Sequence, residues 1–170
     1  QKVAQHLVEQ GYRDFLYLGS QSRSLESDIR FTGFQMQLKQ SGFELDSRST
    51  LQVSSRNRAD DGLIAQLLEE HREPVGVFCY HDLIAAQLYR VCKRLGRRIP
   101  QDVGIVGFDD LSIATNLSPS LTTVQYRIAS MADMTVKLMI DCIQNPDTPY
   151  DNYYVEPNLV IRESSLLSGH

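Results

Sequence analysis

Long apolar runs are missing from this 170-residue chain. No stretch is long enough to span a bilayer, and the N-terminus shows no signal-peptide pattern. Cysteine is scarce: Cys79, Cys92 and Cys142 are odd in number and form no CxxC pair. That argues against a disulfide framework and for a reducing, cytoplasmic setting. Cys92 and Cys142 lie in helical patterns and are expected to be small buried apolar residues. Positive charge is not in excess either. Seventeen Lys and Arg against 21 Asp and Glu leave a net charge of −4, so this segment is not expected to clamp nucleic acid by itself. The densest basic run, "KRLGRR" (93–98), reads as cations in the last turn of a helix. Internal repeats, low-complexity tracts, a GxSxG elbow, a DxD pair and a P-loop are all lacking. The opening "QKVAQHLVEQGY" has no initiator Met and no helix N-cap, and its helical spacing is already running. The chain is therefore expected to be part of a longer one.

What is present is a rhythm. Val3, Leu7 and Val8 share a helical face over 2–10, and Gly11 stops it. "FLYLG" (15–19) is a strand. Residues 26–41 have helical spacing at Ile29, Phe34, Met36 and Leu38, ending at Gly42. "TLQV" (50–53) is a strand, and 60–71 a helix through Leu63, Ile64, Leu67 and Leu68. "VGVFCY" (75–80) is a strand, and 82–95 a helix closed by Gly96. "VGIVGF" (103–108) is a fourth strand. Short, continuously apolar strands alternating with helices build a parallel sheet covered on both faces. After Asp110 come loop residues, an extended "LTTV" (121–124), a helix over 127–143, a turn-rich link over 145–152 and a final strand over 158–164. The 127–143 helix carries Ile128, Met131, Leu138, Met139 and Cys142 on one face. That face must be covered by the same sheet or by a neighbouring lobe.

Ligands of open α/β sheets bind beyond the carboxyl ends of the strands. Asp109 and Asp110, "YHD" (80–82) and "SQSRS" (20–24) all stand at such ends, so a polar site is expected there. The acid pair has three readings. Two carboxylates can hold Mg²⁺ for phosphoryl transfer, with Asp82 as a third acid. An ionised Asp can accept charge-assisted hydrogen bonds from neighbouring hydroxyls of a polyol. Or an Asp can cap a short helix such as 110–116; on this reading Asp110 is the cap and Asp109 faces the ligand. Cys79 and His81 alternate onto one face of a strand end. They read as a buried thiol beside a ligand-facing or capping His rather than as a nucleophile and base.

Several stretches together resemble the effector-binding core of the lactose-repressor (LacI/GalR) family of transcription regulators. They are "GYRDFLYLGS", "SDIRFTGFQMQLKQSG", "VFCYHDLIAAQLYRVCKRLGRRIPQDVGIVGFDD" and "SPSLTTV", in the family's order across almost the whole chain. The resemblance implies a periplasmic-binding-protein-like α/β fold with a doubly wound parallel sheet. Residues 1–125 and 156–170 would form the C-terminal lobe, and 126–155 a crossover segment of the N-terminal lobe. It implies a small-molecule effector, most simply a sugar, no cofactor and no enzymatic activity. It also implies a homodimer that meets operator DNA through a helix-turn-helix elsewhere in the protein. Arg30 in "RFTGF" would hold ligand hydroxyls or a carboxylate with its fork of donors. Asp109 would accept from sugar hydroxyls. His81 stands where the family has Asn, and it titrates near neutrality; Asp82 beside it is expected to cap the next helix. Tyr126 and Arg127 replace the usual Gln-Pro pair, and Tyr126 could stack on a ligand. Loop 54–58 lacks the ring-stacking aromatic of some members, leaving Asn57 or Arg58 for polar contacts. Helix 82–95 and loop 113–120 are expected at the dimer face, with Leu117 either an anchor there or part of the lobe's own core. Two rivals remain: a periplasmic sugar-binding protein on the same fold, and a Mg²⁺-dependent phosphoryl-transfer enzyme.

Overall fold

The runs at 15–18, 75–79 and 103–108 are apolar and buried on both sides, so helices must cover both faces of the sheet that they form. The computed structural model describes residues 1–22, 24–71, 74–146 and 152–167. The helices are α1 (Lys2–Glu9), α2 (Ile29–Gln40), α3 (Asp60–Glu69), α4 (Asp82–Leu95), α5 (Ser112–Asn116) and α6 (Ile128–Gln144). The strands are β1 (Asp14–Ser20), β2 (Thr50–Val53), β3 (Val75–Cys79), β4 (Val103–Phe108), β5 (Thr122–Gln125) and β6 (Asn158–Val160). They form one sheet in the order β2-β1-β3-β4-β5-β6. The first five are parallel, and β6 pairs antiparallel with β5.

Alternate residues feed two cores. On one face Leu16, Leu18, Val77 and Ile105 pack with Ile64, Ile84 and Leu88 from α3 and α4. On the other, Phe15, Tyr17, Phe78 and Phe108 pack with Leu7, Phe34 and Leu38 from α1 and α2. The glycines inside the strands make room. Gly76 and Gly104 are paired in register, and together they form a trough under Tyr12. A Cβ on Gly104 would sit 2.2 Å from the Tyr12 ring and hydroxyl. Tyr12 is fully buried and donates to the Pro100 carbonyl at 3.0 Å, which satisfies its only polar atom.

Some local expectations change. Helical structure over 26–41 is split: Leu25–Ser27 is a separate 3₁₀ turn, and α2 begins at Ile29 behind the cap residue Asp28. Ile29, Met36, Leu63 and Leu83 are exposed, because helical spacing identifies a face without fixing its width. Cys79 and Cys92 are buried, whereas Cys142 lies exposed on α6. Leu117 packs partly buried against the α3–α4 core. The final strand stops at Val160, and Glu163–Ser165 turn as a 3₁₀ segment. The link 145–152 falls largely outside the described residues, as does Arg23 of "SQSRS". None of α6 is buried. It leaves Ile128, Met131, Met134, Val136, Met139, Ile140 and Ile143 exposed, so its apolar face is not covered by this sheet.

Candidate functional site

In the strand order 2-1-3-4-5 the chain reverses direction between β1 and β3, and the crevice there is the natural ligand position. Arg30 is delivered to it by the start of α2. Asp28 caps that helix, accepting from the backbone N–H of Arg30 at 3.0 Å and of Phe31 at 3.4 Å. Its other oxygen accepts from the buried Tyr17 hydroxyl, whose pKa is pushed up by burial and then by Asp28. The Arg30 guanidinium is sandwiched between the rings of Phe108 at 3.8 Å and Tyr80 at 4.2 Å. It donates to the Tyr80 carbonyl and, at 3.0 Å, to the Tyr126 hydroxyl. Asp109 lies 3.8 Å away, opposite in charge but beyond hydrogen-bonding distance.

Asp109 and Asp110 form a left-handed turn at the end of β4, with φ of 103° and 50°. Asp tolerates this region better than most residues. The Asp109 N–H donates to the Val124 carbonyl at 2.8 Å. Burial raises the Asp109 pKa, with Arg30 and then His81 acting against it. Asp110 does not cap the short helix. That helix starts at Ser112 with Leu111 at the cap position and no side-chain cap bond. Instead the Asp110 carboxylate accepts from Arg162 at 2.8 Å and from Gln125 at 2.7 Å.

His81, not Asp82, caps the next helix. The Nδ1 of His81 accepts from the Ile84 N–H at 3.2 Å, so His81 caps α4. A neutral ring that accepts at Nδ1 carries its proton on Nε2. Burial lowers the His81 pKa; Asp109 raises it and Arg30 lowers it, so His81 lies within electrostatic reach of both. Asp82 is fully buried and accepts from the Thr123 hydroxyl at 2.6 Å and the Leu111 N–H at 2.7 Å. Burial lifts its pKa to about 6. Gly107 makes space for it: a Cβ there would meet an Asp82 oxygen at 2.2 Å.

Arg30, Asp109 and Tyr126 are thus assembled, and the His81 ring packs edge-on against the Tyr80 ring that covers Arg30. Asn57 is not among them. It is exposed and serves its own loop, donating to Asp60 at 2.8 Å and accepting from the Ala59 N–H at 3.1 Å. A cleft of about 400 Å³ opens at the strand ends, lined by Asp109, Asp110, Gln125, Tyr126, Arg127, Asn158 and the first turn of α6, whereas Arg30 and Phe108 line a second cavity of about 240 Å³. Tyr80 and Phe108 grip Arg30; their one signal in the sequence is that each is an aromatic closing an apolar strand run. Asp82, Asp109 and Asp110 stand at strand ends but do not converge as a trio. Asp82 and Asp110 are committed to donors, and among the described residues no three His, Cys, Asp or Glu side chains gather as a metal-binding group. The arrangement offers one free carboxylate acceptor, a planar cationic donor and aromatic edges, which suits binding a polyhydroxylated molecule.

The sequence profile of the periplasmic-binding-protein-like domain family matches residues 4–165. The chain belongs to that family. Its relatives include regulators of the LacI type, as the sequence resemblance implied. The ribose operon repressor of Haemophilus influenzae is 31% identical over 160 residues, covering 93% of this chain and 48% of the repressor. A LacI-family transcriptional regulator from Sanguibacter keddieii superposes with a TM-score of 0.80 at 27% identity, covering 96% of this chain and 62% of that one. A LacI-type regulator from Alkaliphilus metalliredigens, solved with D-xylulofuranose, superposes at 0.77 with 26% identity, covering 96% and 60%. The chain spans about half the length of the curated relatives it matches. Among the described residues no helix is long and apolar enough to cross a membrane.

Proposed function

We propose that this chain is the effector-sensing part of a cytoplasmic transcription regulator, and that it works by binding rather than by catalysis. The effector is a sugar or a close polyol, held by Arg30, His81, Asp109 and Tyr126. Residues 1–125 and 156–170 form one lobe. Residues 126–155 cross to a second lobe that the rest of the protein supplies; the uncovered apolar face of α6 supports this. The rest of the protein also supplies the contact with operator DNA, and the regulator is a homodimer. Effector binding that differs between open and closed lobes shifts their populations.

One observation carries the reading. The Asp109 carboxylate is half-buried in a strained turn, yet its nearest cation stands 3.8 Å off. Such a group is stabilised by a ligand's hydroxyls replacing lost water. A sugar agrees with two of the relatives, a ribose operon repressor and a LacI-type regulator solved with D-xylulofuranose.

The test is thermal unfolding of the intact protein with sugars, sugar phosphates and purines, each with and without Mg²⁺. A ligand at 100 times its Kd stabilises by about 2.7 kcal/mol. The expected result is a shift with one sugar class that Arg30→Ala and Asp109→Ala abolish. A shift with Mg²⁺ alone that Asp109→Ala removes would instead show a metal site.

A further inference from the structure

Two adjacent non-glycine residues with positive φ do not hold that geometry unaided. What holds Asp109 and Asp110 comes from outside β4. The Asp109 N–H is taken by Val124 on β5, and the Asp110 N–H points at the Thr123 hydroxyl at 3.4 Å. Gln125 of β5 and Arg162, just beyond β6, occupy both oxygens of the Asp110 carboxylate. Arg162 is itself bolted to β5: its guanidinium donates to the Leu121 carbonyl at 2.8 Å, and its N–H to the Thr122 hydroxyl at 2.9 Å. The Asp110 and Arg162 side chains are only 12% and 18% exposed, so water screens their attraction little. A carboxylate with both oxygens engaged in this way has little left to offer a ligand.

We propose that Asp110 is a positioning residue: through Arg162 and Gln125 it holds the neighbouring Asp109 carboxylate at the cleft and makes that carboxylate move with the β5–β6 strand pair. β5 leads directly into α6, so the group that meets the ligand is fastened to the strands entering and leaving the crossover. The functional consequence rests on the effector reading; the positioning itself does not.

The test is the pH titration of Asp109 in the intact protein labelled with carboxyl-¹³C aspartate, its resonance assigned by Asp109→Asn. Arg162→Met and Gln125→Ala are compared with wild type. Removing the Arg162 charge acts on Asp109 by Coulomb's law alone to raise its midpoint, and removing the neutral Gln125 amide does nothing of that kind. Loss of positioning lets Asp109 swing into water, which lowers the midpoint. The expected result is a fall of the Asp109 midpoint in both variants. A rise in Arg162→Met together with no change in Gln125→Ala would overturn the proposal. Should Arg162→Met not fold, Gln125→Ala decides alone: a fall supports positioning and an unchanged midpoint refutes it. The titration uses no effector, so a protein that binds none of the sugars would sink the effector reading and leave this result standing.

Discussion

Asp82→Asn should stabilise this protein at neutral pH and do nothing in acid. Asp82 is fully buried beneath the site, and burial lifts its pKa from 3.8 to about 6 in spite of the donors Thr123 and Leu111. The ionised form is therefore disfavoured by folding. The stability contributed by an acid whose pKa rises on folding is complete below the unfolded value, here 3.8. It is lost as the pH climbs through the folded value of about 6. A shift of this size corresponds to about 3 kcal/mol. Asparagine reproduces the protonated acid: its amide can donate to the Thr123 hydroxyl oxygen while its carbonyl accepts from the Leu111 N–H. Wild type and variant should match near pH 3.5, and the variant should lead by about 3 kcal/mol at pH 7.5. Urea unfolding at a series of pH values measures this, and titrating groups that do not interact with Asp82 cancel in the difference. A difference that stays flat with pH would refute the reasoning. So would a variant that is weaker at pH 7.5, because the carboxylate's two hydrogen bonds would then outweigh its burial.

Other predictions follow from single contacts. Gly104→Ala drives a methyl into the Tyr12 ring, which is anchored on Pro100; chemical denaturation should show a loss of about 3 kcal/mol. Gly96→Ala places a side chain at φ 70° in the C-cap of α4 and should cost about 1 kcal/mol by the same assay. Arg30→Lys cannot lie flat between Phe108 and Tyr80 or reach both the Tyr80 carbonyl and Tyr126. Effector affinity should fall by about tenfold or more while stability drops by only about 1 kcal/mol, read by calorimetric titration and thermal unfolding side by side.

Much of the fold is legible in the sequence because its signals are local. The runs at Thr50–Val53 and Val103–Phe108 are strands as spaced, and Asp82–Leu95 is a helix ended by left-handed Gly96. Legibility fails where a partner is distant. Asp28 caps α2 while also taking the Tyr17 hydroxyl, and this sets the helix start at Ile29 rather than near residue 26. Asp82 looks like a local cap, but Leu111 and Thr123 claim it, and His81 takes the cap. Asp110 looks like a cap until Arg162 reaches it from 52 residues away. At the site, Arg30 and Asp109 are visible as residue types at strand and helix ends. Their meeting with Tyr126, and the grip of Tyr80 and Phe108 on Arg30, arise only when the sheet orders β1, β3, β4 and β5 side by side. Asn57 is an exposed polar residue at another strand end, and its loop keeps it occupied with Asp60 and Ala59.

The central claim is that Asp109 receives the hydroxyls of a bound sugar. Calorimetric titration of D-ribose, D-galactose and cellobiose into the intact protein and its Asp109→Ala variant tests it most directly. The account predicts that wild type binds one of these sugars. The variant should bind that sugar about a hundredfold more weakly, the loss of about 3 kcal/mol expected when charge-assisted hydrogen bonds disappear. Equal affinity in both proteins would contradict it.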